Sequence, residues 1–199
     1  MSVRRLHNEQ PDSFSFSEEN ETWAKEQIAK YPEGRQASAV IPLLWQAQKQ
    51  VGGWLPEPAI RCVADRLDMP HMRVLEIATF YTMFSLSPVG KNFVQLCGTT
   101  PCWLRGADDL KAVCRKMIGE QGEITQDGQL SWLEVECLGA CVNAPMVQIN
   151  EDFYEDLTAE TFEAILKDLQ AGKDVTPGPQ NSRHTSEPEG GPTVLQGDA

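Results

Sequence analysis

The sequence has no long apolar run. In 199 residues nothing approaches the roughly 18 consecutive apolar positions of a membrane-spanning helix, so an integral membrane protein is excluded and no direct membrane insertion is expected. Basic residues are also scarce: 17 Lys and Arg against 29 Asp and Glu leave a net charge of −12. An acidic chain without a basic run repels phosphate backbones, which argues against nucleic-acid binding. The three histidines, His7, His71 and His184, form no ligand-spaced cluster, so imidazole ligation is not expected. There is no G-x-G-x-x-G and no Walker A loop, so NAD and ATP are not bound by those devices. G-x-S-x-G, H-E-x-x-H and C-x-x-C are absent too. The usual serine hydrolases, zinc proteases and thiol oxidoreductases lose their signatures with them. The opening stretch MSVRRLHNEQPDSF has two arginines but no apolar segment behind them, and Glu9 and Asp12 fit a transit peptide poorly. The expected location is therefore the compartment of synthesis, among reduced thiols.

What remains is an ordinary globular composition, 41% hydrophobic with 15 glycines. Residues 1–13 are polar and read as a flexible N-terminus. Residues 14–86 carry helical spacing throughout. Ser15-Phe-Ser-Glu18 reads as a capping box ahead of Trp23, Ala24, Ile28 and Tyr31. A second helix is expected over 37–51 with Pro42 inside it, harmless near the first turn and a kink if deeper. A third is expected over 58–67, and a fourth from Pro70 through Tyr81. Phe80, Tyr81 and Phe84 read as core packing. From Ser87 the character changes. Short β-prone runs at 93–96, 130–137, 146–149 and 153–157 alternate with helices at 106–118 and 159–171, the last preceded by Thr158-x-x-Thr161. A β-α-β-β-α order, with 153–157 as a fourth strand before the last helix, predicts a small sheet with helices on it, and hence an α+β chain with a small N-terminal helical bundle. The tail, 172–199, holds four prolines and five glycines and reads as irregular.

Chemistry is concentrated in the cysteines. Cys97-Gly-Thr-Thr-Pro-Cys102 is C-x4-C and Cys137-Leu-Gly-Ala-Cys141 is C-x3-C. Each pair sits where a predicted strand runs into a loop, so two loops at one end of a sheet can bring four soft thiolates around one centre. Three readings stay open on spacing alone: a [2Fe-2S] cluster with one pair on each iron, a structural zinc, and disulfides or unrelated thiols. Gly98 and Gly139 let backbone N–H groups approach sulfur, and Thr99 and Thr100 offer hydroxyls. Arg105 reads as a surface arginine before it reads as a counter-charge. Glu134 and Glu136 would lower a cluster's potential if they pointed inward. Cys62 and Cys114 fall in no motif, and Cys114 lies on the apolar face of its helix, so both read as packing thiols. No nucleophile or general base stands out; the chain reads as an electron carrier.

On these residues the chain resembles the thioredoxin-like [2Fe-2S] ferredoxin family, in the form of the E subunits of NADH-quinone oxidoreductases. Val-Glu-Cys-Leu-Gly-Ala-Cys-Val-Asn-Ala-Pro (135–145) is similar to the family signature, and Cys97-x4-Cys102 followed by Gly106 to its first ligand pair. Ala78-Thr-Phe-Tyr-Thr-Met-Phe84 resembles the segment joining the helical and ferredoxin parts. The tail, with Gly178-Pro-Gln, Arg183 and Ser186-Glu-Pro, is similar to that of complex I members. The resemblance implies a thioredoxin-like fold over 87–171 and a single [2Fe-2S] cluster held by Cys97, Cys102, Cys137 and Cys141. It places Pro145 at that fold's cis-proline. It also implies a partner, the flavin subunit that carries FMN and binds NADH, and with it the large iron–sulfur subunit. The tail would be a partner-binding segment. The assembly would lie peripheral to the inner membrane, on the cytoplasmic side or, in a eukaryote, the matrix side. The same module in an NAD-linked formate dehydrogenase or a bidirectional hydrogenase is the alternative, and a structural zinc interaction protein a more distant one.

Overall fold

The structure, a computed structural model, describes residues 4–188, 190, 191 and 194. The chain forms two compact units, Met1–Val89 and Gly90–Ala199.

The first unit is helical. Helix α1 (Glu18–Ala29) starts at Ser17, whose hydroxyl accepts from the Asn20 N–H at 3.2 Å. The expected cap at Ser15 is displaced by two residues for a tertiary reason. The Gln50 side-chain amide donates to the Ser15 carbonyl at 2.8 Å, and its oxygen accepts from the Ser17 N–H at 3.0 Å, which keeps the chain extended until Ser17. A short 3₁₀ turn (Gln36–Ala39) leads into α2 (Val40–Val51). Pro42 falls in the first turn of α2, where N–H groups have no intrahelical partner, so it is tolerated. Gly52 ends the helix at φ +97°, a conformation that favours glycine. Helices α3 (Glu57–Arg66) and α4 (His71–Phe80) each follow a proline, Pro56 and Pro70. Leu43, Leu44, Ile60, Val63, Val74 and Phe84 meet in the core of this unit. Phe84 is fully buried, as expected, but Phe80 is 76% and Tyr81 40% exposed. Phe80 lies two positions, about 200° around the helix, from buried Ala78, and Tyr81 turns extended where α4 ends, so neither ring joins the buried side. Residues 4–13, expected to fray, make contacts. Arg4 donates to the carbonyls of Thr79 (3.0 Å), Tyr81 (2.9 Å) and Phe84, beside the α4 terminus where helical carbonyls run out of partners. The His7 N–H reaches the Leu86 carbonyl at 2.9 Å.

The second unit is built on a sheet of order β2-β1-β3-β4-β5. Strand β1 (Asn92–Cys97) is followed by α5 (Thr100–Leu104) and α6 (Ala107–Met117). Next come β2 (Leu130–Val135), β3 (Val147–Ile149), β4 (Asp152–Glu155), α7 (Ala159–Gln170) and β5 (Gly178–Pro179). Strands β1 and β2 are parallel, with Cys97 opposite Val135; β3 runs antiparallel to both β1 and β4. Helices α6 and α7 pack on each other and bury Leu110, Val113, Cys114, Phe162, Ile165 and Leu166 with Val94, Leu96, Trp132 and Val147 of the sheet. Thr158 and Thr161 cap α7 reciprocally, as the sequence suggests. The tail is less irregular than its composition implies. Gly178 and Pro179 pair in parallel with Tyr154 and Glu155, and the Gln180 N–H donates to the Glu155 carbonyl at 3.0 Å. The open edge of β4 supplies the unpaired groups, and a proline is admissible on such an edge.

Where this unit begins, Gly90 lies against β2. A Cβ there would stand 2.5 Å from the Leu130 carbonyl carbon and 2.7 Å from the Ser131 nitrogen. Those atoms are strand backbone and cannot step aside as a side chain can. Gly90→Ala is expected to lower stability by about 1–3 kcal/mol, read as a shifted chemical-denaturation midpoint. An unchanged midpoint would show that the approach is not tight.

Candidate metal centre

The parallel pairing of β1 and β2 decides the placement. Parallel strands end at the same edge, so the residues after Cys97 and after Val135 leave the sheet side by side. The Gly98 N–H donates to the Val135 carbonyl at 3.2 Å and ties the two exits together. Cys97 is the last residue of β1. Cys102 lies on α5, a short helix where the sequence pattern suggests a loop; Pro101 in its first turn fits a helix start. Both are buried at 1% exposure. Cys137 and Cys141 lie in the segment after β2, Cys141 opening a 3₁₀ turn (Cys141–Asn143), and both are exposed.

All six cysteines are free thiols. The four candidate sulfurs form two pairs. Cys137 Sγ and Cys141 Sγ are 3.4 Å apart, and Cys97 and Cys102 share a hydrogen bond. The pairs sense each other: the charge of Cys97 acts on Cys137 and Cys141, and that of Cys141 on Cys102. Thr99 Oγ1 lies 3.3 Å from Cys97 Sγ and also bonds Cys137, while the Gly139 N–H donates to Cys137 Sγ at 3.4 Å. Gly139 is at φ +88°, which the turn toward sulfur requires. Thr99 and Gly139 thus do what the sequence expected of them.

These contacts split each pair. Burial pushes the Cys97 thiol up, but donors from Thr99, Cys102 and the Leu138 backbone outweigh it, and the group ends below the ordinary cysteine value. Cys102 is pushed up to about 12, by burial first and then by the proton it gives to Cys97. Cys137 is lowered by the Gly139 N–H and by Cys141; Cys141 is raised by its hydrogen bond to Cys137. Each pair thus holds one thiol raised above the ordinary cysteine value, whose proton a metal would have to displace. Among the described residues no three His, Cys, Asp or Glu side chains close on a single ion. The donor set is two pairs of soft sulfur, with hydroxyl and amide donors aimed at them, and this fits a two-iron cluster with one pair on each iron.

The surroundings alter one expectation, for Glu134, and bear out that Arg105 is a surface arginine. Glu134 is engaged by Lys111 at 2.8 Å, and Lys111 also holds Asp108 at 3.1 Å, so the Glu134 charge is balanced locally and does not bear on the sulfurs alone. Its carboxylate lies over Gly98, where a Cβ would sit 1.9 Å from Glu134 Oε1. Arg105 is exposed and donates to the Ala144 carbonyl at 3.4 Å. Cys114 is fully buried beside Leu110 and Val113, its thiol pushed to about 12 by burial; Cys62 is half-buried against the helical core. The Ala144–Pro145 peptide is cis. Sequence reasoning missed a buried polar cluster behind Cys141, made of Asn143, Asp156 and Arg183. A polar Asn between Cys141 and Pro145 was its only local signal.

The family model of the thioredoxin-like [2Fe-2S] ferredoxins matches residues 24–170. The chain belongs to this family. It is 57% identical over 202 residues to the E 1 subunit of the NADH-quinone oxidoreductase of Rhizobium meliloti (strain 1021), covering 98% of this chain and 73% of that protein. It is also 57% identical to the NADH-quinone oxidoreductase E subunit of Rickettsia bellii (strain RML369-C), covering 79% of this chain and 95% of that one. Among solved structures, the NAD+-reducing [NiFe]-hydrogenase in its air-oxidized state matches with a TM-score of 0.58 and 20% identity over 67% of this chain and 23% of that chain. That likeness concerns the fold. Among the described residues no helix is long and apolar enough to cross a membrane.

Proposed function

We propose that the chain is the electron-transfer subunit of an NADH:quinone oxidoreductase, exchanging one electron through a [2Fe-2S] cluster with the FMN of an NADH-binding partner. Cys97, Cys102, Cys137 and Cys141 would hold the cluster. The observation that carries this reading is the meeting of two cysteine pairs at the shared ends of β1 and β2, in a chain 57% identical to E subunits of NADH-quinone oxidoreductases. When bound, the cluster supplies a one-electron site. The protein's part is to hold that site's negative charge in place: Thr99 and the Gly139 N–H donate to sulfur, and Cys97 and Cys102 are kept from water. The exposed pair, Cys137 and Cys141, leaves one side open to a partner. Exposed apolar side chains follow the cysteines directly in sequence, Trp103 and Leu104 after Cys102 and Val142 after Cys141, and they suit a docking face.

On this reading the partners are the flavin subunit and the large iron–sulfur subunit, and the assembly lies peripheral to the membrane. A second reading places the module in an NAD-linked formate dehydrogenase or a hydrogenase, and the hydrogenase fold likeness favours it. The identity to the Rhizobium meliloti protein over 98% of this chain favours the first.

The deciding experiment is EPR of anaerobically purified, dithionite-reduced protein, followed by capture of partners from the native organism. A rhombic one-electron signal with two irons and two sulfides per chain, and capture of a flavin subunit together with quinone-linked subunits, is expected. A colourless protein with one zinc would overturn the cluster, and capture of hydrogenase or formate dehydrogenase subunits would overturn the assembly.

A further inference from the structure

The segment 136–146, which carries the exposed cysteine pair, contains no strand, yet its far side is fastened by the tail. Arg183 Nη2 meets Asp156 Oδ1 at 3.2 Å, with side chains only 8% and 3% exposed. Arg183 Nη1 donates to the Val142 carbonyl at 2.9 Å, one residue beyond Cys141. Asn143 donates from one amide nitrogen to Asp156 Oδ2 (3.1 Å) and to the Thr185 carbonyl (2.8 Å). The Asp156 N–H closes the ring on the Asn143 carbonyl at 2.8 Å. An ion pair this deep is an expensive way to hold a tail, since both groups give up water. What it fixes is the backbone of Val142 and Asn143, at the Cys141 turn, by contacts that reach from beyond α7.

We infer that Arg183 and Asp156 are positioning residues for the iron site: the tail folds back as a brace that sets the Cys141 turn and so the spacing of the Cys137–Cys141 pair. This rests on the cluster reading above. A planar guanidinium suits the task because one group addresses a carboxylate and a carbonyl at once, which a lysine cannot do with the same geometry. Partners of this outer kind orient ligands and slow the escape of metal.

The test uses the full-length chain loaded with cluster. Wild type is first checked by EPR; absence of any cluster there defeats the functional reading itself. In Arg183→Ala and Asp156→Asn, each loading with the same iron and sulfide as wild type, iron is expected to pass to a ferrous chelator about tenfold faster. Both variants should show altered g values, and Arg183→Lys should fall between. The direction is informative, because Arg183→Ala leaves a negative charge beside the turn and Asp156→Asn a positive one. A brace makes both variants lose iron faster. Opposite shifts in midpoint potential, with iron lost at the wild-type rate, would make the pair a charge device and overturn the proposal. Lower melting temperatures with unchanged g values and chelation would overturn it as well, leaving the pair a plain fold element. If Arg183→Ala does not fold, Arg183→Lys decides: wild-type chelation and g values in that variant sink the brace.

Discussion

Serine in place of Cys97 or Cys102 is expected to abolish the cluster, leaving a colourless chain without a reduced EPR signal. Both sulfurs are buried, so nothing else could complete the coordination of the iron they are proposed to share. A serine oxygen is a harder and shorter donor than thiolate, and no water can reach in to compensate. Cys137→Ser and Cys141→Ser should behave more mildly, with a weakened and shifted visible spectrum, because that pair is exposed and solvent can supply a ligand. Cys114→Ala is the control: the thiol is buried among Leu110 and Val113, on the helix and not at the strand ends, and the variant should load as wild type does. Iron and acid-labile sulfide per chain, with the visible spectrum, check all five. An unchanged spectrum in Cys102→Ser would remove it from the ligand set, and a lost cluster in Cys114→Ala would mean its helix contributes more than packing.

Much of this site is legible in the sequence because its logic is local. C-x4-C after a β-prone run and C-x3-C after another can converge only if the two strands are parallel neighbours, and the helix expected between them over 106–118 is what a parallel crossover needs. Gly139 and the hydroxyl of Thr99 follow from what sulfur accepts, whereas the Gly98 N–H goes to the Val135 carbonyl and its missing Cβ makes room for Glu134. The misses are non-local. Ser17 displaces Ser15 as the cap of α1 because Gln50, 33 residues away, takes the Ser15 and Ser17 backbone. Glu134 reads as a threat to the cluster until Lys111 is seen beside it on α6. The proline- and glycine-rich tail reads as irregular because composition records only the cost of ordering it. The return comes from one buried arginine meeting an aspartate 27 positions earlier.

The parallel pair on which the site depends is itself held from inside, and Trp132→Ala should loosen it most. Trp132 sits in the middle of β2, opposite Val94 of β1, and is fully buried among the side chains of α6, α7 and the sheet. Its indole N–H donates to the Gly119 carbonyl at 2.9 Å, and its own carbonyl accepts from the Gly122 N–H at 3.0 Å, so the residue also anchors the turn after α6. Truncation to alanine empties the largest side chain of this core, and such changes cost about 3–5 kcal/mol. Typical domains have only about 5–15 kcal/mol to lose. Trp132→Phe keeps most of the volume but leaves the Gly119 carbonyl without its donor, a loss of about 1 kcal/mol on top of imperfect packing. The two compact units need not unfold together, so one melting curve would blend two events. Hydrogen exchange at β1 and β2 amides isolates the unit concerned. There, protection should fall sharply in Trp132→Ala and modestly in Trp132→Phe, while amides of α2 and α3 keep theirs. Equal protection in wild type and Trp132→Ala would mean that the strand ends carrying the cysteines are held together by something other than this core.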